Sequence, residues 1–388
     1  MMKIYKKALL PEGFSAHGLA CGLKKSKKPD LALIYSQVPA CASACFTTNK
    51  IPAAPVLLNR EHLKKAGRHQ AIIVNSGNAN CFTGARGLAA AQCTARIFAD
   101  ELGIAKESVL VNSTGIIGKQ LSVVKIKKAA PELVRGLSVT GITRASRAIM
   151  TTDTFVKEVT VDLKVGNKAV RLCGIAKGAG MIAPDLATML AFITTDAAIT
   201  RRALDKALRT AVAHSFNCIT VDGCMSTNDT VIVLANAASK NKLIDLTSSA
   251  AAGSGSKDFN LFCEALRIVC QELAQMIVRD AEGATKFISI HVKNARNFPD
   301  ARKCALAIAN SNLFKTAMYG CNPNFGRVAA SVGASGIVVT EKGLKIKLGP
   351  LQKKNIHVEV NLSMGSAEAT IYTSDLSPEY VLINAAYN

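Results

Sequence analysis

The first candidate for chemistry is a glycine-rich segment that leads to a threonine. Residues 177–190 read KGAGMIAPDLATML and follow an apolar run that predicts a strand. The segment contains GxGxxA, which is similar to a dinucleotide-binding fingerprint, but Pro184 stands where the helix of that fingerprint should continue. No GKS or GKT follows for a phosphate loop. Nucleotide binding by this segment is therefore disfavoured, and a turn before the next strand is the plain alternative.

Cysteine and histidine side chains do not predict a metal site. The 12 cysteines and six histidines include no CxxC, HxxH or HxxxH spacing of the kind that zinc ligands use. Cys263 and Cys270 recur at helical spacing among apolar residues. Reduced cysteines that pack in the core are therefore expected, with no metal ligated.

Positive charge is concentrated in the first half of the chain. The 388 residues carry a formal net charge of +21; residues 1–187 hold 27 basic and 11 acidic side chains (+16), which leaves +5 for residues 188–388. The densest run, KKSKK at 24–28, predicts an exposed turn. Aromatic residues are only 5%, and no zinc-finger, RNP or heptad pattern accompanies the lysines, so nucleic-acid binding is not expected. A solvated basic surface is favoured, with steering of anionic substrates as a second possibility.

Composition and length predict a folded chain outside the membrane. A hydrophobic content of 49% suits a large core, and the length suggests roughly two or three domain-sized units. No apolar run approaches the ~18 residues of a membrane span. The first ten residues have neither a sustained apolar region nor arginine, so no secretory or transit signal is predicted, and a cytoplasmic location is expected.

Strand-like and helix-like segments alternate along the chain, which predicts an α/β fold with mixed, partly antiparallel sheets. The predicted strands are 71–75, 109–111, 191–195, 230–234 and 286–292, and the predicted helices are 88–103, 201–214 and 259–278. Hairpins are predicted at 159–175, with its turn at 166–167, and at 336–348, with its turn at 341–343. Residues 248–256 form the best linker candidate.

A set of co-linear blocks covers essentially the whole chain. The blocks are NSGNANCFTG (75–84), VNSTGIIG (111–118), MTTDTF (150–155), KGAGMIAPDLATMLAFITTDA (177–197), SFNCITVDG (215–223), STNDT (226–230), AEGATKF (281–287), NPNFGR (322–327) and EYVLINAAY (379–387). Together they closely resemble the ornithine acetyltransferase family, also called glutamate N-acetyltransferases. The resemblance implies mixed sheets packed with helices in a layered sandwich, a type similar to the N-terminal-nucleophile aminopeptidases.

The resemblance also implies a self-processed nucleophile. Family members cleave themselves at the position that matches Ala187–Thr188, which would give an alpha chain of residues 1–187 and a beta chain of residues 188–388 that stay associated. Thr188 would then carry a free α-amine with a pKa near 8, and that amine can serve as the base for its own hydroxyl.

Other positions take their roles from the family. Thr114 and Gly115 match the oxyanion hole, where a hydroxyl and a backbone N–H face the acetyl oxygen as it gains charge. The positions that match substrate contacts are Thr151, Lys177, Thr188, Glu282 and Asn384. Family members commonly end in a threonine or serine that also binds substrate; here Asn388 is the candidate for that contact, through its amide or terminal carboxylate, or the contact is absent.

Four other positions depart from the family pattern. These are Val156 for proline, Ala179 for serine, Cys224 for aspartate and Phe325 for tryptophan. The change at Cys224 removes a charge and is the most consequential of the four.

The implied reaction is transfer of an acetyl group from N2-acetylornithine to glutamate through an acetyl-threonine ester. It requires no metal or other cofactor, although acetyl-CoA is a possible co-substrate, and the family assembles as a heterotetramer of two alpha and two beta chains. Two alternatives stay open on the sequence. One is a hydrolase or aminopeptidase with an N-terminal nucleophile, and the other is a basic binding protein whose site has decayed.

Overall fold

A computed structural model describes residues 2–183, 189–246 and 257–386 of the chain. They form helices packed with two β-sheets, so the predicted mixed α/β fold is confirmed. The predicted cleavage position Ala187–Thr188, the terminal Asn388 and the predicted linker 248–256 lie outside the described residues. Within the described ranges, no helix combines the length and apolar composition that crossing a bilayer would require.

The strands in these ranges, numbered along the chain, are β1 (Lys3–Tyr5), β2 (Phe14–Leu19), β3 (Leu31–Phe46), β4 (His69–Asn78), β5 (Val109–Ile116), β6 (Lys157–Val165), β7 (Lys168–Lys177), β8 (Leu190–Thr195), β9 (Thr230–Ala235), β10 (Phe287–Ala295), β11 (Lys345–Leu348), β12 (Asn355–Asn361) and β13 (Ala367–Ser374).

The α-helices are α1 (Ala54–Lys65), α2 (Gly84–Leu102), α3 (Val123–Arg135), α4 (Ile142–Ile149), α5 (Arg201–Ala213), α6 (Lys257–Arg279), α7 (Phe298–Ala309), α8 (Asn312–Tyr319), α9 (Phe325–Ala334) and α10 (Pro378–Ala385).

The described residues form two compact units. The first unit comprises residues 2–178, 189–215, 226–246 and 257–273, and the second comprises 179–183, 216–225 and 274–386. The first unit therefore takes residues from both sides of the predicted cleavage position.

One sheet forms the centre of the first unit. Among the described residues its strand order is β1-β6-β7-β8-β9-β3-β4-β5, and β2 pairs with β3 outside that path. Strands β8 and β9 run parallel to each other, while β8 pairs antiparallel with β7 and β9 pairs antiparallel with β3. Two strands that follow position 188 thus lie between strands that precede it.

Strand β3 shows how the sequence specifies this sheet. Leu31 and Leu33 pack against helices α1, α2 and α3 on one face, while Ala32 and Ile34 join the cluster that includes α4 on the other face. Because side chains alternate between the two faces and both faces are covered, a continuous apolar run is the expected pattern for this strand.

The second unit has its own sheet and its own core. Its sheet has the order β11-β12-β10-β13, in which β10 runs parallel to β12 and antiparallel to β13. Ile288 and Ile290 of β10 pack with Cys304 and Ile308 of α7, and residues of α8 and α9 complete the same cluster.

Most predicted elements are confirmed. The predicted hairpin at 159–175 is β6 and β7, which turn at Gly166 with φ of +59°. The predicted helix at 259–278 lies within α6, and the predicted helix at 88–103 lies within α2 and its cap. Helix α2 ends at Gly103, whose φ of +64° is the left-handed conformation that glycine adopts at helix ends.

The predicted hairpin at 336–348 is wrong. Residues 341–343 form a short 3₁₀ turn, residues 336–340 are not a strand, and β11 pairs antiparallel with β12 instead. Ile337 and Val339 pack onto the core of the second unit, which accounts for their apolar character without a strand. The alternating buried residues of β12 make it the partner of β11.

We predict that Phe98→Ala in α2 lowers the free energy of unfolding by about 3–5 kcal/mol, because the ring is fully buried in the apolar cluster that α2 shares with β5 and α3 and its removal leaves a cavity. Gln92→Ala, on the exposed face of the same helix, should change it by less than about 0.5 kcal/mol. Urea denaturation measures both. Equal losses would contradict the described packing of α2.

Candidate active site

The strand end that carries Thr114 and Gly115 is shaped by two glycines. In the parallel pairing of β4 and β5, Ser76 lies opposite Thr114 and Gly77 lies opposite Gly115. Gly115 has a φ of +130°, and a Cβ there would overlap the Gly77 carbonyl carbon and lie 2.6 Å from the Asn78 nitrogen. Only glycine fits this approach, so the backbone conformation at the predicted oxyanion hole is fixed by residue type.

Thr114 is buried beside this turn, with 5% of its surface exposed. The preceding residue, Ser113, donates its hydroxyl to Asn75 Oδ1 at 2.6 Å. Asn228 donates its side-chain amide to Ala79 O at 2.7 Å and to Ser113 O at 2.8 Å. The hydrogen bonds of Asn228 therefore hold the residues that precede β9 against the end of β5. They connect three of the sequence blocks.

Asp229 lies next to that contact and was not predicted as a site residue. Its Oδ1 accepts the backbone N–H of Met189 at 2.9 Å, one peptide unit after position 188. Its Oδ2 is buried and has no hydrogen-bond partner among the described residues. Burial raises the pKa of Asp229 well above its ordinary value, against the opposing effects of the Met189 N–H and the Lys177 charge. Burial thus favours the neutral carboxyl.

Asp153 brings Thr151 and Lys177 together. Its Oδ2 accepts the backbone N–H of Thr151 at 2.8 Å, and its Oδ1 accepts Lys157 Nζ at 2.7 Å and the backbone N–H of Gly178 at 2.6 Å. Neither side chain of the Asp153–Lys157 pair is exposed. Burial acts to raise the pKa of Asp153, but the charges of Lys177 and Lys157 and the Gly178 N–H outweigh it and hold that pKa below its ordinary value.

Glu282 and Asn384, both predicted substrate contacts, meet in the second unit. Asn384 donates its amide to Glu282 Oε2 at 2.9 Å. It lies on α10, which begins at Pro378 after Ser377, whose hydroxyl accepts the Tyr380 N–H at 3.3 Å. Ser377 thus caps the helix that positions the amide of Asn384.

Residues 179–183 of the glycine-rich segment belong to the same unit as Glu282. The Glu282 N–H donates to Ala179 O at 3.0 Å, and a Cβ at Gly180 would overlap the Glu282 carboxylate. Ala179 itself is buried, so this departure from the family pattern is a packing residue.

Asp222 fixes the next residues of that segment. Its Oδ2 accepts the Met181 N–H at 2.6 Å and its Oδ1 accepts the Ile182 N–H at 3.0 Å. The Tyr380 hydroxyl donates to Oδ2 at 3.1 Å, and burial together with the Asp222 charge raises the pKa of Tyr380. Cys224 is exposed and contributes its N–H to Asp222 Oδ1 at 3.1 Å. Cys224, which stands where the family pattern has aspartate, therefore lies against the carboxylate of Asp222.

The sequence-predicted site residues fall into two described groups. Thr114, Gly115, Thr151 and Lys177 belong to the first unit, and Glu282 and Asn384 belong to the second. Ala187, Thr188 and Asn388 lie outside the described residues. No group of three or more histidine, cysteine or acidic side chains suited to a metal ion occurs among the described residues.

The sequence gives only a weak signal for Asp153, Asp222 and Asp229. Each lies inside a block that carries the family resemblance: MTTDTF, SFNCITVDG and STNDT. Each accepts backbone N–H groups from the site, and two of them from residues far along the chain. Aspartates that stand near hydroxyl residues within these blocks could have been proposed as site residues. The groups to which they bind become evident only in the fold.

Comparison with known proteins gives a consistent result. The family model described as the ArgJ family matches residues 15–388. A relative from Caldanaerobacter subterraneus subsp. tengcongensis, named arginine biosynthesis bifunctional protein ArgJ, is 45% identical over 402 residues and covers 97% of each chain. A relative of the same name from Geobacter sulfurreducens is 44% identical over 397 residues and covers 97% of this chain and 99% of its own.

A solved structure is also similar. It is described as ornithine acetyltransferase complexed with ornithine, from Mycobacterium tuberculosis, and is 37% identical to this chain. The match covers 48% of this chain and 100% of that chain, with a TM-score of 0.45.

We predict that Asp153→Asn lowers the free energy of unfolding by about 3–5 kcal/mol at neutral pH, because it leaves Lys157 buried without its counter-charge. The depressed pKa of Asp153 implies that this contribution is complete above its unfolded-state pKa near 3.8 and is lost as the pH falls through the lower folded value. The difference between wild type and variant should therefore shrink in acid, which denaturant titrations at several pH values can measure.

Asp162→Asn is the matched control for that measurement. It removes the partner of Arg171 in a partly exposed pair, and should cost no more than about 1 kcal/mol. A loss from Asp153→Asn as small as that of the control would show that the buried pair does not stabilise the fold.

Proposed function

This chain belongs to the ArgJ family, and from that premise we propose that it is an acyltransferase of arginine biosynthesis that moves the acetyl group of N2-acetylornithine to glutamate. The observation that carries the proposal is the match to relatives named for arginine biosynthesis over 97% of the chain. The products are ornithine and N-acetylglutamate. Since the match covers nearly the full length of both chains, it favours this activity over a hydrolase or a decayed binding protein.

The proposed nucleophile is the hydroxyl of Thr188, freed by cleavage after Ala187. Before cleavage the nitrogen of Thr188 is an amide and cannot accept a proton, so the intact chain lacks the base that the mechanism needs. After cleavage the α-amine takes the hydroxyl proton as Oγ attacks the acetyl carbon. Ornithine leaves with a proton on its amine, and the amine of glutamate then attacks the acetyl ester and restores the hydroxyl.

Thr114 and Gly115 are proposed to stabilise the oxyanion of both steps. The close approach of Gly77 and Gly115 fixes the backbone at this strand end before any substrate binds. The Thr114 hydroxyl forms no hydrogen bond with another described residue. It can therefore donate a hydrogen bond to the oxyanion. Donors that are held in place before the charge develops are the ones that lower a barrier most.

The charges around Lys177 suit a substrate carboxylate. Lys177 lies beside the buried carboxylate of Asp153, whose pKa it helps to lower. An ammonium group at this position would attract the α-carboxylate of ornithine or glutamate. The backbone N–H of Thr151 donates a hydrogen bond to the same Asp153 carboxylate.

In the second unit, Glu282 offers the opposite charge. Its carboxylate accepts the Asn384 amide, which orients it, and the remaining lone pairs can receive an ammonium group of the substrate. Asn388, which lies outside the described residues, stays a proposed contact at the C-terminus.

Association of the alpha chain (1–187) with the beta chain (188–388) is part of the proposal. It is supported by the sheet of the first unit, in which β8 and β9 of the beta chain lie between β7 and β3 of the alpha chain. We propose a heterotetramer of two alpha and two beta chains in the cytoplasm, where amino-acid biosynthesis supplies both substrates. No metal or cofactor is proposed; acetyl-CoA is a further acetyl donor to be tested.

We predict that Thr188→Ala abolishes both self-cleavage and transfer, because it removes the attacking oxygen. Intact-mass spectrometry should show fragments of residues 1–187 and 188–388 for the wild type and one uncleaved mass for the variant. Thr140→Ala, which truncates an exposed threonine, should be cleaved like the wild type. An uncleaved Thr188→Ala variant with full activity would refute the mechanism.

We further predict that Thr114→Val lowers the rate of transfer by about 10²–10³ with little change in KM, because valine keeps the buried shape and lacks the donor. Thr114→Ser, which keeps a hydroxyl, should retain most activity. Rates are measured as N-acetylglutamate formed from N2-acetylornithine. A hydrolase would instead release acetate whether or not glutamate is present.

A further inference from the structure

A cavity of about 670 Å³ opens in the first unit beside Thr151. Its wall combines the basic run at 24–28 with the end of α4 and the loop that follows it. The volume lies within the range of sites for small organic ligands. Thr151, a predicted substrate contact, and Asp153 belong to this wall, whereas Thr114, Gly115 and Lys177 do not, so the cavity adjoins part of the predicted acetyl-transfer site.

The wall has a strong positive bias. Lys24, Lys28 and Arg147 line it, and the one carboxylate among the lining residues is Asp153, which is already bound to Lys157 and Gly178. The side chains of Lys28 and Arg147 are exposed, and neither side chain forms a hydrogen bond or ion pair with another described residue. Two cations at one cavity are therefore available to an anionic ligand.

Lys24 builds the wall and does not serve as a surface charge. Its Nζ donates to Pro29 O and to Met150 O, each at 2.7 Å, and thereby ties the basic run to the residue before Thr151. Burial lowers the pKa of Lys24 to about 8, against the Asp30 and Asp153 charges. The loop that presents Lys28 is thus held in place.

The same cavity has an aromatic side. The side chain of Phe155 is 40% exposed, and Lys157 Nζ lies 4.9 Å from its ring centroid. Met150, Val156 and Pro29 add apolar surface. A ligand that carries phosphates and a flat aromatic base would satisfy both parts of the wall, because phosphates pair with lysine and arginine and bases stack on exposed aromatic rings.

We propose that this cavity binds a phosphorylated nucleotide, with its phosphates at Lys28 and Arg147 and its base against Phe155. Two sources share this chemistry. One is the nucleotide portion of coenzyme A in an acyl thioester, and this assignment rests on the proposed acyltransferase function. The other is a free nucleotide, and this assignment does not depend on that function.

The binding experiment uses the full-length, processed protein with three probes: coenzyme A, ADP and inorganic phosphate. Isothermal titration calorimetry compares the wild type with K28E/R147E, and with K25E/K27E as a control that makes the same change of charge at exposed positions of the same run. We expect K28E/R147E to weaken binding of coenzyme A and ADP by about tenfold or more, and the control to bind like the wild type. Phe155→Ala should weaken binding of ADP and leave binding of inorganic phosphate unchanged.

Equal affinities of K28E/R147E and K25E/K27E would overturn the site, as would the absence of binding of both coenzyme A and ADP. Inorganic phosphate that binds as tightly as ADP would overturn the nucleotide assignment. These outcomes do not depend on transferase activity, so they are distinguishable from a failure of the proposed function.

An activity measurement separates the two sources. If the ligand is the thioester, acetyl-CoA should acetylate glutamate, and the KM for acetyl-CoA should rise about tenfold or more in K28E/R147E. Transfer from N2-acetylornithine should be unchanged in that variant. For a free nucleotide, ADP should bind while acetyl-CoA yields no N-acetylglutamate. Acetyl-CoA turnover with the same KM in K28E/R147E and in the control would contradict binding of the donor here.

Discussion

The buried carboxylate of Asp153 is the interaction on which the arrangement of the first unit's site depends. One side chain accepts hydrogen bonds from Thr151, Lys157 and Gly178, and so joins the loop after α4, the start of β6 and the end of β7. Burying a charge is costly unless it is paired and hydrogen-bonded, and Asp153 meets both conditions. Thr151 and Lys177 owe their positions to this group.

Asp222 has a similar part in the second unit. It holds two successive N–H groups of the glycine-rich segment, and Tyr380 holds Asp222 in turn. Carboxylates that bind backbone N–H groups fix a segment that has no helix or strand partners of its own. Met181 and Ile182 of the glycine-rich segment are held by the Asp222 side chain in this way, and the Ile182 carbonyl also accepts the Val221 N–H.

Much of the fold could be predicted from the sequence, because its periodicities are strong. The alternation in β6 and β7 and the apolar face of α6 each specify one element without reference to the rest of the chain. The hairpin at 336–348 failed because residues 336–340 contribute apolar side chains to the core without forming a strand, and β11 pairs with β12, the next strand along the chain. A local sequence pattern predicts that a segment forms a strand, but it does not predict which other strand that segment pairs with.

The site residues divide in the same way, into those that a local motif identifies and those that only their contacts identify. Thr114, Gly115, Thr151, Lys177, Glu282 and Asn384 were all named from motifs. Asp153, Asp222 and Asp229 were not, because a residue that holds another residue is recognised by its contacts. The basic run at 24–28 was predicted to be a solvated turn; its loop is exposed, but Lys24 is bound to two carbonyls.

The position of β8 and β9 has a consequence for synthesis of the chain on the ribosome. Strands β7 and β3 emerge first, and each waits for a partner that is translated later. Until residues 190–235 have been translated, the nascent first unit exposes two unpaired edges of apolar strands, which are templates for association with other chains. Recruitment of chaperones is therefore expected to be greatest at this stage of translation, well before the polypeptide is complete.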